Sequence, residues 1–102
     1  MNIQWFGLGQ FSVTGKLGGD DVGLVFDPFT NDFGVKAPRA MQVDIVARTH
    51  AEKYADGADY LSASEGRDIF EVRHAGEYES RSIFVHGVHV PLEEMPMHTV
   101  YK

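Results

Sequence analysis

The chain has 102 residues, 43% of them hydrophobic, no cysteine, and a formal charge of −6 from nine basic and fifteen acidic side chains. A chain of this length makes one domain that buries about two-thirds of the surface its unfolded form exposes, and its composition is globular. Without cysteine there is no disulfide framework, thiolate zinc site or cysteine nucleophile. The scattered Lys and Arg argue against nucleic acid, and no apolar run reaches the roughly 20 residues that span a bilayer. No basic segment followed by an apolar stretch opens the chain, so a cytoplasmic protein is expected.

In chain order, Ile3 and Trp5 alternate with polar residues over 2–6 and run into Gly7-Leu8-Gly9, a strand entering a tight turn. Residues 11–14 form its hairpin partner, and 16–22, rich in Gly and Asp, reads as a solvent loop. Gly23-Leu-Val-Phe-Asp27 is a continuous apolar run, the pattern of a strand buried on both faces. Pro28 stops it, and 29–39 is an irregular loop. Residues 43–47 form a second buried strand. Tyr54, Ala58 and Leu61 stand at helical spacing, which predicts a helix over 51–64 ended by Gly66. Alternation over 68–73 and 82–90 predicts two more strands with Gly76-Glu-Tyr-Glu79 between them. Thr99-Val-Tyr-Lys102 starts a strand pattern where the sequence stops, so that segment either completes the sheet or is cut short. The expected class is α/β or α+β: a mixed β-sheet with few helices, in one domain spanning 1–102.

Four segments in order carry a resemblance: NIQWFGLGQFSV at 2–13, LVFDPF at 24–29, VDIVARTHAEKYAD at 43–56 and HAGEYESRSIFVHGV at 74–88. Together they resemble the N-terminal half of the metallo-β-lactamase superfamily, in its small bacterial lactonase-like and Zn-dependent hydrolase branch. Its members have a Trp-Leu/Phe-Gly turn, a Leu-Ile-Asp-Pro strand end and a strand running into THxHxDH. The resemblance implies one half of an αββα sandwich whose full domain needs about twice this length for two cores. It further implies that this chain supplies a single sheet, whose inner face, with Trp5, Phe26 and Phe84, is exposed until another half covers it.

The resemblance also implies a zinc pair that activates a bridging water. Carried over by position, the first ligand is His50, the second becomes Glu52, and the Asp-His that follows becomes Tyr54 and Ala55. A later ligand falls near Leu92, with His89 three positions early and Glu93 one late. Asp27 matches the aspartate that holds the metal loop by hydrogen bonds. Zinc needs three or four donors at about 2.0–2.2 Å, so the expected reading is a catalytically degenerate half-domain, a pseudoenzyme, without a cofactor. It would act as a binding or structural module and associate through Trp5, Phe26 and Phe84 with a second copy or a second half of the same kind. The alternative is a metal-dependent hydrolase of the phosphoester or lactone class. Its site, with His50, Glu52 and His89, would be completed by a partner chain or a C-terminal half.

Other groups have plainer readings. His86 and His89 are three apart on a strand and point to opposite faces; with His74 and His98 they read as surface or interface histidines. Glu77 and Glu79 share one side of a strand, with Tyr78 on the other. The WFGLGQ turn precedes a strand rather than a helix, so it is no phosphate cradle.

Overall fold

The computed structural model describes residues 1–17, 19–30, 34, 36, 38, 40–50, 60–63, 67–81, 83–93 and 98–102. The alternating N-terminus forms β1 (Asn2–Gly7), paired antiparallel with β2 (Gln10–Leu17), with a bulge between Trp5 and Gly7. Gly7 and Leu8 both take positive φ at this turn, 121° and 49°, which suits the glycine and strains the leucine.

β2 pairs in turn with β3 (Asp20–Phe26), and this hairpin corrects the expected loop over 16–22. Its ladder runs through Gly15↔Val22 and Lys16↔Asp21 to Leu17↔Asp20. Val22 is buried, and opposite charges stand across from each other at Lys16 and Asp21, so Gly and Asp do not stop the strand there.

β3 pairs parallel with β5 (Ile45–Ala47), which pairs parallel with β7 (Phe70–Val72). The result is a five-stranded mixed sheet, β1-β2-β3-β5-β7. Every element among the described residues is a strand. The helix expected over 51–64 falls mostly outside them, and its end is extended instead: Leu61–Ser62 (β6) pairs parallel with Met41–Gln42 (β4). Leu61 is drawn into this geometry by packing on Val25, Val43 and Val46, while the Val43 amide donates to the Ser62 carbonyl at 2.9 Å.

Cross-strand partners share a face. The registers Ile3↔Val13↔Leu24↔Ile45↔Phe70 and Trp5↔Phe11↔Phe26↔Ala47↔Val72 therefore lay one apolar face across the whole sheet. The chain does not supply that sheet alone, as the resemblance implied. β8 (Gly76–Ser80), β9 (Ile83–His89) and β10 (Thr99–Tyr101) form a second, antiparallel sheet that folds back over the first. Between the two, Leu24, Ile45, Ala47 and Val72 meet Val85, flanked by Tyr78, Ile83 and Tyr101.

The second sheet is fastened at both ends of β5. At the start, Asp44 is buried and accepts hydrogen bonds from the Gly23 amide and from Arg81 of the β8–β9 turn, both at 2.9 Å. At the other end the Tyr101 hydroxyl donates to the Arg48 carbonyl at 2.6 Å, and the Thr99 amide donates to the Thr49 carbonyl at 2.7 Å.

The cover is incomplete. Ile3, Trp5 and Phe11 on β1 and β2 stay 66%, 63% and 42% exposed. Phe26, in the same rows, is half-buried, its ring 6.1 Å from that of Tyr101. Phe84 is 78% exposed on the outer face of the second sheet, which also exposes Val88 and Val100. Trp5, Phe26 and Phe84 therefore do not form one patch.

Candidate functional site

Two adjacent parallel strands, β3 and β5, end side by side, and Asp27 and Thr49 just past them line a common space. Such carboxyl ends are where open α/β sheets hold ligands. Asp27 follows β3, and Thr49 and His50 follow β5. The shallow cleft there has a volume of about 300 Å³ and is lined by Gly9, Phe26, Asp27, Thr49, His98 and Tyr101, among others.

Asp27 is buried and adopts φ 45°, a conformation that Asp and Asn tolerate better than most residues. Its amide donates to the Ala47 carbonyl at 3.0 Å. Its two carboxylate oxygens accept from the Thr49 amide and the Thr49 hydroxyl, both at 2.7 Å. The carboxylate thus ties the end of β3 to the segment after β5.

His50 is half-buried beside Thr49, and Glu52 lies outside the described residues. His89 is exposed at the end of β9, opposite Thr99. His98 lines the cleft, with Nδ1 3.2 Å from the Val90 carbonyl oxygen. Among the described residues no three His, Asp or Glu side chains come together as metal ligands. Asp27 and His98 are the carboxylate and imidazole donors described at this cleft, two where a zinc ion needs three or four converging ligands.

Two tyrosines escaped the sequence reading. Burial pushes the Tyr101 hydroxyl up to about 12, helped by the nearby Tyr78 and Asp27. It therefore stays protonated at neutral pH and serves as a donor to the Arg48 carbonyl, not as a base. Gly87 makes room for this ring: a Cβ there would stand 2.9 Å from Tyr101 Cε1. The Tyr60 hydroxyl, whose pKa burial also raises, shares its one proton between Gln10 Oε1 at 2.7 Å and the Phe29 carbonyl at 2.9 Å. Gln10 Oε1 also accepts from the Phe29 amide at 3.2 Å, which fixes the chain just beyond Pro28.

Tyr101→Phe is expected to cost about 1–2 kcal/mol, since it leaves a buried carbonyl without its donor. Stability of the parent chain should fall as pH rises from about 10 toward about 12. In that window the unfolded chain has released the phenol proton and the folded chain has not. Urea unfolding across that range checks both points, and the variant should show a shallower alkaline decline.

On the second sheet Glu77 and Glu79 point outward with His86, whose Nε2 lies 4.0 Å from Glu77 Oε1, while Tyr78 turns into the core. These carboxylates lie on an exposed face of the second sheet and line none of the cavities described above.

No family model matches the sequence, and no curated protein does. A comparison with solved structures finds a Thermotoga maritima protein assigned to the metallo-β-lactamase superfamily as a candidate Zn-dependent hydrolase. The match has a TM-score of 0.66 at 19% identity and covers 98% of this chain and 43% of that one. The fold is that of the metallo-β-lactamase superfamily. The chain spans less than half the length of the superfamily structure it matches. The likeness extends over nearly all of this chain, the mixed sheet included. No helix among the described residues is long and apolar enough to cross a membrane.

Proposed function

We propose that the chain is a catalytically degenerate half-domain of the metallo-β-lactamase type, a cytoplasmic binding or structural module that pairs with a second copy of itself. The observation that carries this reading is the uncovered strip of Ile3, Trp5 and Phe11 at one end of a sheet whose central apolar residues are packed. More than half of the matched superfamily chain has no counterpart here. A fold built from two similar halves can be completed by a second copy.

The strip exposes on the order of 300 Å² of apolar surface per chain. Two such strips bury about 600 Å² in total, below the roughly 1,200 Å² of stable specific interfaces, so association should be weak and depend on concentration. Trp5 is the one tryptophan of the chain and sits in the strip, so its emission reports the contact directly. The emission maximum should move to the blue as concentration rises. Emission of a solvated indole at every concentration would count against pairing through this strip.

A second reading has one observation in its favour: the matched protein is assigned as a hydrolase, and the cleft lies at the strand ends where such folds do chemistry. On that reading the chain is part of a metal-dependent phosphoester or lactone hydrolase. His50, Glu52 and His89 would then be joined by ligands from a partner or from a C-terminal half. It requires stoichiometric zinc, and the first reading does not.

A further inference from the structure

The four edges of the two larger sheets differ in chemistry. β8 carries Glu77 and Glu79, and β7 carries Glu71 with Arg73 just beyond it. β10 has three residues, and its Thr99 amide is already bonded to Thr49. β1 is different: it has six residues, NIQWFG, none of them charged and none proline, and it stands at the end of its sheet. Natural edge strands are shielded by charges, prolines or covering segments because their unpaired amides and carbonyls template another strand. In a chain of net charge −6, an uncharged six-residue edge is the place where a second copy can approach without like charges meeting strand to strand.

Resting on the reading of the chain as a self-associating half-domain, we infer that two copies join edge to edge through β1, antiparallel about a two-fold axis normal to the sheet. Such an axis keeps each face of the joined sheet on its own side, so paired residues must have the same parity. The bulge between Trp5 and Gly7 ends the regular part of the strand. The register that uses all of Asn2 to Phe6 therefore places Gln4 opposite Gln4 of the partner subunit and Ile3 opposite Trp5 of the partner subunit. Both of the most exposed side chains of the strip then gain an apolar cross-strand neighbour. The contact is closed, because the same edge is used by both copies.

Gln4 is exposed and points away from the apolar strip, so it tests the edge without touching Ile3, Trp5 or Phe11. Light scattering on eluted Gln4→Lys and Gln4→Glu should show each variant dissociating at concentrations at least tenfold above the parent. An equimolar mixture of the two should regain the parent's dimer. Gln4→Cys, in a chain with no other cysteine, is a neutral companion. With oxidised glutathione it should form a covalent dimer at least tenfold faster than Gln42→Cys, which sits at an exposed position on β4.

Charged variants that dimerise like the parent, or a Gln4→Cys no faster than Gln42→Cys, would overturn the edge pairing and leave self-association through the strip standing. A mixture that stays monomeric would overturn this register. A monomeric parent would overturn both the pairing and the reading it rests on.

Discussion

Asp44→Ala should lower unfolding stability by about 3–5 kcal/mol. The carboxylate is buried at the start of β5 and serves two elements at once, the Gly23 amide on β3 and the Arg81 guanidinium in the β8–β9 turn. Arg81 also reaches Asp20 at 3.4 Å, but Asp20 is exposed and screened, and it does not replace the buried partner. Removing Asp44 leaves a buried amide without its acceptor and a half-buried cation without its closest counter-ion. The loss is large against the roughly 5–15 kcal/mol that a domain of this size has in total. Asp44→Asn keeps an acceptor for Gly23 and should cost less than half as much. The check is the urea midpoint at unchanged slope. A loss below about 1 kcal/mol for the alanine variant would mean that this bond does not hold the second sheet on the first.

Asp27→Ala should cost about 3 kcal/mol, the second-largest single effect expected. Two hydrogen bonds to a carboxylate are lost, each worth about 1.5–3 kcal/mol and not fully additive. A methyl side chain is also left at a positive φ that alanine adopts reluctantly. Asp27→Asn should recover more than half of the loss, because its amide oxygen can still accept from the Thr49 amide and asparagine tolerates this backbone geometry. Equal unfolding midpoints for Asp27→Ala and the parent would remove Asp27 as the tie between the ends of β3 and β5.

Much of the sheet was legible because strand periodicity is local. The run at 23–27 reads as buried on both faces, and it is: Leu24 packs between the sheets and Val25 on the opposite side. The hairpin at 16–22 was not legible, since Lys, Gly and Asp carry loop signals and only the burial of Val22 reverses them. Alternation over 83–89 tells which residues share a side, but both sides are apolar. That Ile83 and Val85 are covered while Phe84 is not depends on where the second sheet lands.

For the cleft, the strand-end aspartate and His50 could be located by their place in the motif order. The bonds that decide the chemistry could not. Tyr101 meets Arg48 across 53 positions and Tyr60 meets Gln10 across 50, and nothing in the local pattern of either tyrosine announces its partner.

On the proposed reading the chain completes its fold by association and not by a metal. Size-exclusion chromatography with light scattering, and zinc content determined across the peak, tests it in one run. The mass should rise with loading from the 11.4 kDa of one chain toward twice that value, without stoichiometric zinc. A mass of 11.4 kDa at every loading, or one zinc per chain, would contradict it.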